Sequence, residues 1–99
     1  MWVVCNIFPY DVWDTSTVKD HLMIVPKRHV DSVSHFKRTE QTEFMALLGK
    51  YEAKGYSVYA RAPTNKMKSV THQHTHLIKL GPKVRNLLYI EKPRLLIAK

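Results

Sequence analysis

The chain contains one cysteine, three glycines and no long apolar run. A single thiol, Cys5, forms neither an internal disulfide nor a Cys-x-x-Cys zinc site, so we expect a reducing, cytoplasmic location. No apolar segment approaches the roughly 18–20 residues that span a bilayer. The apolar start of the chain ends at Asn6 and has no basic segment before it, unlike a signal peptide. The sequence therefore predicts a protein without a membrane partner.

Acidic residues are scarce. The chain has 8 Asp and Glu against 16 Lys and Arg, a formal net charge of +8. Such a charge attracts polyanions, so nucleotides and nucleic acid are both candidate partners. A generally basic, well-hydrated surface without a specific partner explains the same charge.

The size of the chain limits it to a single domain over residues 1–99. With 99 residues it is too short for a second hydrophobic core. A chain of this size buries only roughly 60–65% of its unfolded surface, so a dimer interface would add to its stability.

The pattern of apolar residues predicts more strands than helices. Strands are expected at four β-branched or aromatic runs: Trp2 to Phe8, His21 to Val25, Tyr56 to Ala60 and Ser69 to Leu80. The polar segment from Asp11 to Asp20 is expected to be a loop, and Gly81-Pro82 is expected to close the last strand. Two shorter apolar runs are predicted to form a terminal strand pair: Leu87 to Ile90 and Leu95 to Ala98.

One main helix is predicted from Thr39 to Lys54. Thr39 is a suitable N-cap, and Gly55 lies where a C-cap glycine is common. An apolar stripe at helical spacing predicts the face that packs on the sheet: Phe44, Leu47, Leu48 and Tyr51. With so few helices the strands are not expected to be parallel. The sequence therefore predicts an α+β fold, an antiparallel sheet of about five strands with one main helix packed on it.

Three of the six histidines alternate within five residues, at His72, His74 and His76. In the predicted strand, alternate side chains leave from one face, about 6.6–6.8 Å apart. An exposed polar strand face is one explanation. A metal site is a second, because His-x-His is a common zinc-ligand spacing, although a straight row of three spreads over more than ~13 Å. Phosphoryl or nucleotidyl transfer, with one imidazole attacking phosphorus, is the third.

The sequence around these histidines resembles the signature of the histidine triad superfamily, His-φ-His-φ-His-φ-φ, in which φ is an apolar residue. Here it reads HQHTHLI, at residues 72–78. A second block agrees, since the segments NIFPY (6–10) and HLMIVPKRHV (21–30) are similar to family members that act on dinucleoside polyphosphates. The match covers roughly residues 2–80 and leaves residues 81–99 as a C-terminal extension.

The resemblance implies a histidine-triad-like α+β domain, usually a homodimer, that hydrolyses or transfers nucleotides. His74 would attack the α-phosphorus of a dinucleoside polyphosphate or a nucleoside phosphoramidate and form a covalent nucleotidyl-histidine intermediate. His76 would contact the phosphate oxygens, and His72 would orient His74 and tune its basicity. No cofactor is required in this scheme, although a divalent metal (Mg²⁺ or Zn²⁺) is compatible with it. The alternative is a non-catalytic protein of the same fold that binds nucleotides or nucleic acid.

The resemblance also implies substrate-binding positions. His29 matches the fourth family histidine, near the phosphate end of the site. Asn6 falls where the family binds the ribose hydroxyls, and Ser69 falls where a Ser or Thr contacts the phosphate or the leaving group. Because the family's N-terminal helix is missing, an apolar residue of the first strand is expected to supply one wall of the nucleoside pocket: Ile7, Trp2 or Val4.

The sequence departs from the family pattern at further positions. Gln73 and Thr75 replace apolar residues between the histidines, so that face is either partly exposed or hydrogen-bonded. Arg61 stands where the family has an asparagine, and could bind an additional phosphate or close the site differently. Three other basic residues could draw polyphosphate toward the site, although a solvated side chain is the simpler explanation for each: Lys27, Arg28 and Lys68.

Overall fold

A computed structural model describes residues 1–66, 68, 70–83, 86–90 and 94–98. The described elements are, in chain order, β1 (Trp2–Cys5), β2 (Val12–Trp13), β3 (Ser16–Val25), a 3₁₀ turn (Val33–His35), α1 (Arg38–Glu52), β4 (Tyr56–Tyr59), β5 (Thr75–Lys83), β6 (Asn86–Ile90) and β7 (Arg94–Ala98). The predicted α+β class, with an antiparallel five-stranded sheet and one main helix, is confirmed.

The sheet has the order β1-β3-β5-β4, with β2 also paired to β3. Every pairing in it is antiparallel. β3 and β5 are its central strands, and their register places Met23 opposite His76 and His21 opposite Ile78. Cross-strand partners project to the same face, and so do alternate residues of one strand. His21 and His76 therefore share one face of the sheet.

The loop predicted from Asp11 to Asp20 is wrong in part, since this segment contains β2 and the start of β3. A two-residue turn at Asp14 and Thr15, with φ values of 50° and 55°, joins the two strands. Two positive φ values are typical of a type I′ turn, which matches the twist of a hairpin. Asn-Gly usually marks such a turn, whereas this polar sequence carries no glycine.

α1 begins one residue earlier than predicted, and its N-cap is Lys37 rather than Thr39. The carboxylate of Glu40 accepts the backbone N–H of Lys37 at 2.8 Å. The same carboxylate pairs with Arg28, with Nη2 to Oε1 at 2.8 Å and Nε to Oε2 at 3.2 Å. A partner from the connection after β3 thus sets the start of the helix.

The predicted apolar stripe of α1 is half-buried: Phe44, Leu47, Leu48 and Tyr51. It meets the sheet at β4, where the Tyr51 and Tyr56 rings make an edge-to-face contact with centroids 5.4 Å apart. The helix ends at Glu52, two residues before the predicted end. Gly55 follows with a φ of 90°, a conformation that glycine adopts without strain.

β5 begins at Thr75, not at Ser69, which lies outside the described residues. His72 and His74 therefore precede the strand, and His76 is the one triad histidine within it. The prediction that all three rings line one strand face is wrong. The rings of His72 and His74 are positioned by hydrogen bonds to backbone groups instead.

β5 also extends beyond its predicted end, through Gly81-Pro82 to Lys83. β4 pairs with β5 only as far as Lys79, so Pro82 removes no hydrogen bond from that pairing. The predicted terminal strand pair is confirmed, since β6 and β7 pair antiparallel with each other.

The most deeply buried side chains lie where β3 and β5 pair. Ile24, Leu77 and Ile78 are each 0% exposed. These residues hold the two central strands, and with them His21 and His76, in a fixed register. No helix in the described part of the chain is long and apolar enough to cross a membrane.

Candidate active site

A cleft of about 430 Å³ lies on the sheet face that carries His76. It is bounded by the segment after β1, the end of β3, the segment after β4 and the residues that lead into β5. Ten described residues line it: Asn6, Phe8, Tyr10, Met23, Val25, Arg61, Val70, His72, His74 and His76. The three triad histidines thus reach one cleft, as predicted.

The ring of His72 is held by backbone groups of the segment that follows β3. Its Nδ1 accepts the N–H of Val30 at 3.3 Å. Its Nε2 therefore carries the proton and donates to the carbonyl of Pro26 at 2.9 Å. Both ring nitrogens are used, so His72 contacts His74 through its backbone carbonyl and not through its imidazole. It ties the segment before β5 to the segment after β3.

His74 is oriented by the backbone of His72 instead. Its Nδ1–H donates to the carbonyl of His72 at 3.0 Å. Because a carbonyl oxygen only accepts, this bond fixes the proton on Nδ1 and leaves the lone pair on Nε2. The ring is half-buried and lines the cleft. An unprotonated imidazole nitrogen in this position can act as a nucleophile or a base.

His76 forms a hydrogen-bonded pair with His21, which lies on the adjacent strand. The backbone N–H of Tyr10 donates to His21 Nδ1 at 3.1 Å. The proton of His21 then lies on Nε2 and is donated to His76 Nδ1 at 2.8 Å. His76 in turn carries its proton on Nε2, a buried atom without a hydrogen-bond partner among the described residues. The chain of donors therefore ends in a buried, unsatisfied N–H of a residue that lines the cleft.

Burial keeps this histidine pair neutral near pH 7. It lowers the pKa of His76 to about 4, with smaller contributions from two neighbouring histidines and Arg61. Burial also lowers the pKa of His21, opposed in part by the charge of Asp20. A neutral pair suits the observed hydrogen bond, because one of the two facing nitrogens must lack a proton.

Aromatic rings surround the pair and account for its desolvation. The centroid of the Tyr10 ring lies 4.5 Å from that of the His21 ring and 5.4 Å from that of the His76 ring. Tyr59 stacks on His76 from 6.3 Å. Trp13 stacks on Tyr10 at 5.4 Å and contacts Tyr59 at 5.0 Å. Trp13, which belongs to the hairpin that the sequence did not predict, thus packs against the two tyrosine rings that contact the histidine pair.

Asn6 lines the cleft, as predicted. Its Oδ1 accepts the Phe8 N–H at 2.9 Å, which leaves the amide NH₂ to face the histidine pair. The Nδ2 atom lies 3.3 Å from His21 Nε2, but both atoms carry hydrogen in the arrangement described above. This contact therefore orients Asn6 only weakly. The Nδ2 group also donates to the Met23 Sδ atom at 3.7 Å, and a thioether is a weak acceptor that a ligand oxygen can replace.

Two predicted substrate-binding residues lie elsewhere. His29 is exposed, stacks on His72 at 4.7 Å and lines a separate depression of about 410 Å³. Ile7 is 85% exposed and does not line the cleft, and neither Trp2 nor Val4 does. The apolar wall is formed instead by Phe8 and by three aliphatic residues: Met23, Val25 and Val70.

The two polar residues between the triad histidines are buried, so the alternative of an exposed face is excluded. Gln73 is 3% exposed and Thr75 is 1% exposed. The side-chain amide of Gln73 is hydrogen-bonded, since its Nε2 donates to the carbonyl of His74 at 3.4 Å. The Thr75 hydroxyl has no hydrogen-bond partner in the described part of the structure.

The basic residues outside the cleft have local partners. Arg28 is occupied by Glu40, as described above, and Lys68 donates to the carbonyl of Asp31 at 3.1 Å. Lys27 lies 6.0 Å from the centre of the Trp2 ring. Within the described residues, no group of three or more His, Cys, Asp or Glu side chains is arranged to hold a metal ion. The triad therefore contributes no three-ligand set in this arrangement.

The most important residue that the sequence did not single out is His21. It was placed in the second strand, where its alternation with Met23 and Val25 puts it on the cleft face. What was missing is the register between the second strand and the triad strand, which the sequence does not contain. Tyr10 and Phe8 belong to the NIFPY segment, in which the match to the family marked only Asn6, and Ile7 was expected only as a pocket wall.

Comparison of the chain with protein-family models, with curated proteins and with solved structures finds no match. The site must therefore be interpreted from its own geometry and from the sequence resemblance.

Proposed function

We propose that this chain is a histidine-triad-like nucleotide hydrolase or nucleotidyl transferase that acts at the α-phosphate of its substrate. The observation that supports this most directly is the hydrogen bond that His74 makes to the backbone. Its Nδ1–H is tied to a backbone carbonyl at 3.0 Å, which leaves Nε2 unprotonated in a ring that lines the cleft. This is the arrangement that a neutral imidazole nucleophile requires.

In the first step the lone pair of His74 Nε2 forms a bond to the α-phosphorus. With a dinucleoside polyphosphate, the bond from phosphorus to the leaving-group oxygen breaks, and its electron pair departs with that oxygen. With a phosphoramidate the phosphorus–nitrogen bond breaks instead, and the nitrogen takes up a proton from solvent. The His74 ring becomes positively charged, and its Nδ1–H bond to the His72 carbonyl stabilises this charge. In the second step water attacks the phosphorus, a proton goes to solvent, and the nitrogen–phosphorus bond returns its electrons to Nε2.

His76 would stabilise the charge that develops on the phosphate oxygens. His76 lines the cleft, and its buried Nε2–H has no hydrogen-bond partner among the described residues. A donor that is fixed in advance needs no reorganisation when charge moves to the oxygen, and this lowers the barrier. His21 acts through His76 as a positioning residue, because it fixes which nitrogen of His76 carries the proton.

The cleft also suits the remaining part of a nucleotide. Phe8 is 84% exposed and lines the cleft, so its ring face can stack on a base. Asn6 presents its amide NH₂ group beside it. A homodimer, as the resemblance implies, and a cytoplasmic location, as the single cysteine indicates, are part of this proposal. Sedimentation velocity measures the oligomeric state.

The test is the substitution His74→Ala, assayed with diadenosine tetraphosphate and with adenosine phosphoramidate. We expect it to abolish turnover and to abolish the acid-labile, radiolabelled nucleotide adduct on the protein. His35→Ala is the matched control, because His35 lies outside the cleft and pairs with Asp31. Thermal unfolding of both variants checks that the fold is intact.

Unchanged turnover in His74→Ala would overturn the nucleophilic mechanism. The competing function is binding without catalysis, which the net charge of +8 favours. Salt-dependent binding to single-stranded RNA, unaffected by His74→Ala and without any nucleotide release from the two substrates, would establish that function instead.

A further inference from the structure

Arg61 is the one formally charged side chain among the described residues that line the cleft. The other nine are apolar, amide, phenol or imidazole side chains. Burial keeps His76 neutral by lowering its pKa to about 4, and the described residues that line the cleft include no carboxylate. The cleft therefore carries a positive charge that the cleft itself does not neutralise, and such a charge favours an anionic ligand.

The position of Arg61 within the cleft is defined by two aromatic residues. Its Nη1 donates to the Tyr10 hydroxyl at 3.0 Å, and its guanidinium lies 5.6 Å from the centre of the Tyr59 ring. The same two rings flank His76, at 5.4 Å and 6.3 Å. Arg61 is thus held on the His76 side of the cleft.

The hydroxyl contact leaves most of the five N–H donors of the guanidinium for a ligand. A guanidinium presents these donors in a planar fork that matches two oxygens of one phosphate. The cation–π contact with Tyr59 keeps this fork in place without neutralising its charge. The structure therefore provides an oriented phosphate-binding group next to the histidines.

We infer that Arg61 determines substrate specificity by binding the negatively charged phosphate chain of the leaving group, so that the protein prefers phosphoric anhydrides to phosphoramidates. This rests on the proposed function. When His74 attacks a phosphoric anhydride, a phosphate chain leaves with the bond electrons as a stable anion and needs no proton. An amine leaving group must be protonated before it departs.

The state of His76 in the unliganded protein agrees with this preference. A neutral imidazole with its proton on Nε2 donates a hydrogen bond, but it holds no additional proton to release to an amine. Arg61, in contrast, stabilises the negative charge of a departing phosphate chain directly.

The experiment compares Arg61→Gln and Arg61→Lys with the unmodified chain on diadenosine tetraphosphate and adenosine phosphoramidate. We expect kcat/KM for the tetraphosphate to fall on the order of 10–100-fold in Arg61→Gln, since a charge-assisted bidentate contact is lost. Arg61→Lys keeps the positive charge but loses the planar pair of donors. Its kcat/KM for the tetraphosphate should therefore lie between those of Arg61→Gln and the unmodified chain. In both variants, kcat/KM for adenosine phosphoramidate should change less than about threefold. Arg38→Gln, on the exposed start of α1, is the matched control.

An equal loss on both substrates would overturn the inference, because Arg61 would then act on the attacked phosphate rather than on the leaving group. A second measurement separates this inference from the proposed function. Binding of inorganic tripolyphosphate, followed by the fluorescence of the nearby Trp13, should weaken at least tenfold in Arg61→Gln. If no nucleotide adduct forms with any substrate, the proposed function fails, and unchanged tripolyphosphate binding would then refute the anion site as well.

Discussion

Acidification should destabilise the protein through His76. Burial lowers the pKa of this imidazole to about 4 in the folded state, whereas an unfolded histidine has a pKa of about 6.5. Between these two pH values the unfolded chain binds the proton and the folded chain does not. The free energy of unfolding must therefore fall as the pH decreases from about 6.5 toward about 4.

The magnitude follows from the two pKa values. For one group with these values, linkage predicts a loss of about 2 kcal/mol between pH 7 and pH 5. This is a substantial fraction of the roughly 5–15 kcal/mol that stabilises a typical domain. The lowered pKa of His21 adds to the loss in the same direction.

The assay is urea unfolding at a series of pH values, followed by tryptophan fluorescence. His76→Gln removes the titrating group, so its stability should vary less between pH 7 and pH 5 than that of the unmodified chain, by about 2 kcal/mol. His29→Gln, at an exposed position outside the cleft, is the matched control. The same pH dependence in His76→Gln and in the unmodified chain would refute the argument that His76 is held neutral by burial.

Four substitutions, at three residues, test the positioning residue and the packing. His21→Ala should lower kcat on the order of 10²-fold, since the orientation of His76 is lost, and His21→Gln should restore part of it, because its amide can donate to His76 Nδ1. An unaltered pH–rate profile in His21→Ala would contradict this role. Leu77→Ala, at a fully buried position, should cost about 2–5 kcal/mol in urea unfolding, and a smaller loss would mean that the sheet centre is loosely packed. Gly81→Ala should cost about 1–3 kcal/mol, because a Cβ there would lie 2.7 Å from Thr17 Oγ1, whereas unchanged stability would show that Thr17 rotates freely.

The class of fold could be predicted because it depends on local patterns. The stripe from Phe44 to Tyr51 indicates a helix wherever the chain places it, and the β-branched run from His21 to Val25 indicates a strand. The boundaries depended on distant partners. Glu40 starts the helix early because Arg28 holds it, and no local rule connects these two residues.

The candidate site was likewise predictable where it depends on local sequence and not where it depends on contacts between distant residues. The alternation of the triad pointed to the correct three histidines, but the strand geometry inferred from it was wrong for His72 and His74. The ring of His72 is held by the carbonyl of Pro26, and the ring of His74 is held by the carbonyl of His72. The alternation of histidines in the sequence does not encode these contacts. His21 was missed because its partner lies 55 residues away along the chain.

The hydrogen-bond chain through the histidine pair begins at a main-chain amide, the N–H of Tyr10. An amide of this kind neither titrates nor rotates away, so the direction of both imidazole protons is set by the path of the polypeptide rather than by any side chain. Replacing the side chain of Tyr10 by another ring would leave the backbone N–H, and with it the direction of the hydrogen-bond chain, unchanged. Proline at this position would remove that N–H.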